Sequence, residues 1–230
     1  MLLLTDSHAT DVATCGAKAA TLAGLVQAFA VPRGFVVLVD EPLDETILKA
    51  FDTLEAEKVA VRSSAMNEDG KEAAWAGQLE TFLNVGREEL LSAINKCRQS
   101  NGSERAASYA AAQGISAGNV AVIVQEMIFP SVSGVAFTKH PVTGENTVVV
   151  EAVRGLGESL VSGHSTPDTY VENGEYHLAG EVPIMGEQEL QEVFMLAKRV
   201  RSALGYEVDI EWAFEHDKLY LLQARPITTL

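Results

Sequence analysis

Two stretches near the end of the chain carry side chains suited to metal and phosphate chemistry. In DIEWAFE (209–215), alternation along a strand puts Asp209 and Glu211 on one face and Ile210 and Trp212 on the other. In YLLQARP (220–226), the same rule puts Gln223 and Arg225 together. A hairpin turn through His216, Asp217 and Lys218 would gather Asp209, Glu211, Gln223 and Arg225 into one polar cluster. Glu211 and Gln223 offer the oxygen ligands that Mg2+ prefers, an ion usually held by one or two carboxylates plus substrate phosphates. Arg225 beside them suits charge neutralisation on a transferred group. The competing interpretation is a surface salt-bridge cluster. Against it stand the apolar residues flanking these charges on both strands, which leave the charges in need of partners.

Other positions invite the same chemistry less specifically. Lys18 falls in the first turn of a helix that starts after a glycine, where unpaired N–H groups and a partial positive charge suit an anion. Alone, a lysine there is more often solvated surface. Arg62 stands where the apolar strand KVAVR leaves for two serines and a loop holding Gly70, Trp75 and Gly77. A guanidinium grips phosphate oxygens with a planar fork, and glycines let backbone N–H groups approach an anion. A long surface loop ending in a helix cap fits that spacing equally well. Gln125 and Glu126 interrupt the apolar run VIVQEMI. Backbone at such a break can read a purine edge between apolar neighbours, whereas the plainer alternative is a solvent-facing pair on an edge strand. Among the histidines, His164 sits in a loop, His140 precedes a proline and His216 falls at a hairpin tip; none has a zinc-like set of partners, and no histidine reads as catalytic or phosphorylated.

Composition narrows the classes. The 230 residues are 47% hydrophobic, enough for one large domain or two lobes. Seventeen basic residues against 32 acidic ones give a net charge of −15, which argues against a nucleic-acid binder. No apolar run reaches a membrane span, and MLLLTDSHATD lacks the basic start of a secretory signal. Two cysteines, Cys15 and Cys97, read as reduced thiols of a cytoplasmic protein rather than a disulfide framework.

The elements that must position these residues are mixed. GAKAATLAGLVQAF (16–29) has helical spacing with Thr14 as a possible N-cap. VPRGFVVLV is a turn and a buried strand, and helices are expected over 44–57, 87–99, 103–113 and 186–204. Strands are expected at 58–62, 119–128, SGVAFT and TVVVEAV, with a hairpin tipped by Asn173-Gly174. Helices, together with a meander-like later sheet, predict a compact α+β or mixed α/β protein of two lobes.

Taken together, these segments resemble the N-terminal ATP-binding domain of the phosphoenolpyruvate synthase / pyruvate phosphate dikinase family, a kind of domain that rifampicin phosphotransferase also has. GAKAATLAGL…VPRGFVV is similar to GGKxANLxxL…VPxGFVV, and VRSSAMNEDGKEAAWAGQLETFLNV to VRSSATAEDLPxASFAGQxETFLNV. VQEMIFPSVSGVAFTKHPVTGE, EAVRGLGESLVSGHSTPDTY and DIEWAFEHDKLYLLQARPITTL continue the likeness. The resemblance implies an ATP-grasp-like α+β fold with ATP between a first lobe (1–118) and a second (119–230). It further implies Lys18 and Arg62 on ATP phosphates, covered by the loop around Gly77, Gln78 and Thr81. Gln125, Glu126 and Met127 would meet the adenine and the hinge, Glu211 and Gln223 would hold Mg2+, and Arg225 the phosphates. Arg105, in SERAASY, matches a family arginine that faces the nucleotide.

Departures from the family pattern shape the expected role. Only about twenty residues (38–60) separate the GFVV and VRSS strands, which trims the first lobe, and Cys15-Gly16 replaces a glycine pair. Full-length members continue past QARP into a swivelling phosphohistidine domain and a substrate domain, and no TSHAA-like histidine motif occurs here. The reading that follows is an ATP-dependent, dikinase-type phosphotransferase subunit that phosphorylates a histidine on a separate partner protein. A nucleotide-binding regulatory module without turnover, or an ATP-binding fragment of a larger dikinase, are the alternatives.

Overall fold

The computed structural model describes residues 1–66, 81–100, 120–161 and 165–227. The chain divides into two compact units, Met1–Gln27 with Pro32–Met127, and Ala28–Val31 with Ile128–Leu230.

The first unit is built on a five-stranded antiparallel sheet in the order β1-β2-β5-β3-β4. Its strands are β1 (Leu2–Leu3), β2 (Gly34–Val37), β3 (Val59–Ser64), β4 (Thr81–Val85) and β5 (Ala121–Glu126), with helices α1 (Val12–Leu25), α2 (Glu45–Leu54) and α3 (Leu90–Ser100). In α2, Ile47, Ala50, Phe51 and Leu54 are buried at helical spacing, and Asp44 caps the start by accepting from the Thr46 N–H at 2.8 Å. With Ile94 and Cys97 of α3 they form a core with Phe35, Val61 and Val124. Residues of the other parity on β3, Ala60, Arg62 and Ser64, face the opposite side, where α1 lies.

The second unit is a six-stranded antiparallel sheet in the order β11-β10-β6-β7-β8-β9. It comprises β6 (Val132–Phe137), β7 (Val149–Arg154), the short α4 (Glu158–Val161), β8 (Asp168–Val171), β9 (Tyr176–His177), α5 (Glu187–Leu204), β10 (Val208–Glu215) and β11 (Lys218–Pro226). The apolar stripe of α5, including Val193, Ala197 and Val200, is buried, and α5 contacts β10, β6, β7 and β11. Gly134 must be glycine, because a Cβ there would lie 1.8 Å from the Glu151 carbonyl oxygen on the neighbouring strand. Residues 28–31 join this unit because the Leu221 N–H donates to the Ala30 carbonyl at 2.9 Å.

Several expectations shift. The first turn of α1 is capped by Asp11, not Thr14, and the helix is interrupted at Gly16 (φ 77°, ψ 165°). It therefore runs regularly only after that glycine, as its spacing suggested. The break between units falls after Met127, whereas the expected boundary lay at 118/119. The reason is that β5, placed in the second lobe by the sequence reading, lies between β2 and β3 in the first unit's sheet. In the β10–β11 hairpin, His216 and Asp217 alone form the turn, both at positive φ (47° and 61°), and Lys218 already begins β11. The helix expected over 103–113 lies outside the described residues.

Candidate functional site

In the first unit, Lys18 is held by the loop that breaks α1. Gly16 has a positive φ and sits so close to β3 that a Cβ would lie 2.1 Å from the Ser64 carbonyl oxygen. That approach lets the Ala17 N–H donate to the Ala65 carbonyl (2.9 Å) and the Ala19 N–H to Ser64 Oγ (3.0 Å). These two N–H groups are thus engaged within the protein. Lys18 itself is only 6% exposed, and its Nζ donates to the Ser63 carbonyl at 3.2 Å. This overturns the solvated-surface alternative. Arg62, half-buried on β3, pairs in register with exposed Thr81 of β4, so these two site candidates are cross-strand neighbours. Gly77, Gln78 and Arg105 lie outside the described residues.

Gln125 is buried in an interior strand, its Nε2 donating to the Pro32 carbonyl at 3.3 Å, which overturns the edge-strand alternative. Glu126 receives a two-pronged ion pair from Arg33 at 3.0 and 3.1 Å. The backbone N–H groups of Glu126 and Met127 donate to Arg33 and Lys58 carbonyls, at 2.8 and 3.0 Å. Met127 is the last residue of the first unit.

In the second unit, Glu211 stands opposite Gln223 and Asp209 opposite Arg225. The register extends through β6 and β7, so that Gln223, Glu211, Val135 and Glu151 form one row across the sheet. Cross-strand partners share a face, and this face is distinct from that of the fully buried Ile210 and Trp212. Arg225 Nε and Nη2 lie 2.8 and 2.7 Å from Asp209 Oδ2. Burial raises the Asp209 carboxyl above its ordinary range; Arg225 pulls against that rise, and the neighbouring Glu211 adds to it. Burial likewise raises the Glu151 carboxyl, helped by the charge on Asp209.

Sequence reasoning did not single out Glu151. The available signal was its place in VVVEAV, a lone acid inside an apolar strand. Among the described residues, no group of three or more His, Cys, Asp or Glu could hold a metal ion. The neighbouring Glu211 and Gln223 instead form a small oxygen donor set, of the kind that binds Mg2+ jointly with phosphate oxygens.

The hairpin also carries an irregularity. Between Glu211 and Trp212 the register shifts, so β11 spans Leu221–Gln223 opposite two residues of β10. Beyond the shift, Trp212 pairs with Leu221 and Phe214 with Leu219. Gln223 and Arg225 thereby share the face of Glu211, while Leu219 and Leu221 share that of Trp212 and Phe214. Unbroken alternation would have put all four on one face.

Comparison with known proteins identifies the fold and the family. Among solved structures, D-alanine–D-alanine ligase of Bacillus anthracis complexed with ATP aligns at TM-score 0.51 and 14% identity, covering 93% of this chain and 55% of that one. The ligase of Coxiella burnetii gives TM-score 0.51 at 10% identity. These likenesses establish an ATP-grasp-like α+β fold. A probable phosphoenolpyruvate synthase of Archaeoglobus fulgidus is 38% identical over 203 residues, 75% of this chain and 27% of that protein. A rifampicin phosphotransferase of Streptomyces sviceus is 41% identical over 202 residues, covering 74% and 23%. Prodigiosin synthesizing transferase PigC of Serratia marcescens is 35% identical over 220 residues, covering 82% and 25%. The chain thus spans about a quarter of the length of these curated relatives. The family model described as the pyruvate phosphate dikinase AMP/ATP-binding domain matches residues 37–179 and 175–230. The chain belongs to the pyruvate phosphate dikinase AMP/ATP-binding domain family.

Proposed function

We propose that this chain is the ATP-binding part of a phosphotransferase, passing a phosphoryl group from Mg2+-bound ATP to a histidine on a partner phosphohistidine domain outside these 230 residues. The observation that supports it best is the pairing of Glu211 with Gln223 beside Asp209 with Arg225, on a chain of an AMP/ATP-binding family. Phosphoryl transfer asks for positioning and charge neutralisation more than for covalent help. Lys18 and Arg62 supply positive charge for phosphate oxygens, and Thr81 stands beside Arg62. Glu211 and Gln223 would hold Mg2+ together with phosphate oxygens, and the bound ion would supply neutralisation of phosphate charge. Arg225, oriented by Asp209, faces the transferred group. The break at Gln125–Met127 meets the adenine, with Gly77, Gln78 and Arg105 assigned by resemblance alone.

The test is to incubate the protein with Mg2+, ATP and a separately produced phosphohistidine domain from a relative. Acid-labile phosphate should appear on the acceptor, and parallel reactions with β- and γ-labelled ATP show whether AMP plus phosphate or ADP is formed. An acceptor that stays unlabelled while ATP binds would leave a binding module without turnover. Absence of ATP binding by calorimetry would defeat the whole reading.

A further inference from the structure

The register shift in the β10–β11 hairpin points to a device for aiming the metal ligands. We propose that the three-for-two step at Leu221–Gln223 is a β-bulge that positions Gln223 against Glu211, with Leu222 as the inserted positioning residue. This rests on the metal role given to those two residues above.

The irregularity is local. The pairings of β10 with β6 and of β6 with β7 run without a shift, so it is confined to the strand pair that carries both oxygen ligands. It is also held at both ends. On one side Asp209 and Arg225 are joined by their ion pair, and on the other the Leu221 N–H donates to the Ala30 carbonyl. A bulge bends its strand and increases the local right-handed twist, which re-aims the adjoining side chains.

Pairing alone does not require the extra residue. With Leu222 removed, Gln223 would still face Glu211 and Leu221 would still face Trp212, because those residues would become consecutive in a regular ladder. Every cross-strand pair of the hairpin survives on paper. Only the local bend and twist at the two ligands would go. A feature that interrupts the ladder beside a fully buried Trp212, and that the same cross-strand pairs would not need if Leu222 were absent, is explained by the side chains it aims.

The experiment compares the full chain with three variants: deletion of Leu222, Leu222→Ala and Glu211→Gln. ATP binding is measured by calorimetry with Mg2+ and again with EDTA. Deletion of Leu222 should leave the fold and the EDTA affinity intact but weaken binding in Mg2+ about 10-fold or more, the loss typical when a ligand-orienting contact goes. Leu222→Ala keeps the bulge and should bind like the parent in both conditions. Unchanged Mg2+ dependence in the deletion variant would overturn the proposal. So would an equal loss in Leu222→Ala, which would assign the effect to side-chain packing. A deletion variant that fails to fold while Leu222→Ala folds would assign the bulge to stability and overturn it as well. Glu211→Gln separates the two levels: if it leaves the Mg2+ dependence unchanged, the metal reading itself has failed.

Discussion

Arg225 is paired with Asp209 and, in the role proposed for it, faces the transferred group, so its substitution should show both effects. The Asp209 carboxylate is only 7% exposed, so removing its guanidinium leaves a poorly solvated charge. Arg225→Ala should strongly reduce phosphoryl transfer and also cost about 1–2 kcal/mol in urea unfolding, less than for a fully buried pair because Arg225 reaches solvent. Adding Asp209→Asn should recover much of that stability without recovering transfer. Lys18→Met keeps the buried stem of Lys18 and removes its charge. It should weaken ATP binding about 10- to 100-fold, as expected for a lost charge-assisted hydrogen bond, with little change in melting.

Asp168 makes a purely structural prediction at the same scale. It is fully buried and accepts the N–H groups of Ala179 and Ile184, each at 2.8 Å, and the Tyr170 hydroxyl at 2.9 Å. Burial alone would raise its pKa, but these donors outweigh it and hold the carboxyl below the ordinary range. Its stabilisation is therefore present above the unfolded carboxylate pKa of about 3.9 and is lost as pH falls through the lower folded value. Asp168→Asn should cost about 2–3 kcal/mol at neutral pH, since an amide cannot accept all three donors. The gap to the parent should narrow as acid protonates Asp168. A gap that stays constant down to strong acid would contradict the assignment.

Elements were legible where their patterns were self-contained. The amphipathic spacing of α2 and α5, the Asn173-Gly174 tip and the apolar runs of β3, β6 and β7 all stand in the sequence, because periodicity and turn chemistry are local. The interruption of α1 was legible only in part. Its glycine was visible, but the reason for it lies 48 residues on, at the Ser64 carbonyl. Gly16→Ala combines a disfavoured φ with that clash, and should destabilise the protein by about 2–3 kcal/mol or more in urea unfolding. By detaching Lys18 from β3 it should also weaken ATP binding. Loss of stability with undiminished affinity would separate the loop from the nucleotide.

At the scale of the whole molecule, a net charge of −15 makes binding of a polyanion depend on local cations rather than on the overall field. Mg2+-ATP at about 100 times its dissociation constant should raise the melting temperature by roughly 5–10 °C, from the linkage free energy of one bound ligand. Glu211→Gln should remove most of that increment in Mg2+ but not the smaller one in EDTA. Because the chain has two compact units, melting is best followed by two probes, whose coincidence tests for a single transition.

The family, the α+β class and the choice of candidate residues were determined by the sequence alone, because long ordered motifs and strand alternation need no tertiary information. The tertiary structure decided where β5 belongs, since strand order depends on pairing between distant segments. It also buried Lys18 and Gln125, joined Asp209 to Arg225 and brought Glu151 into the same face, all consequences of packing across strands. In β11, alternation correctly put Gln223 with Arg225 but would have put Leu219 and Leu221 with them. Only the register against β10 shows the shift that sends Leu221 to the core, puts the half-buried Leu219 on the same face and keeps the polar pair beside Glu211.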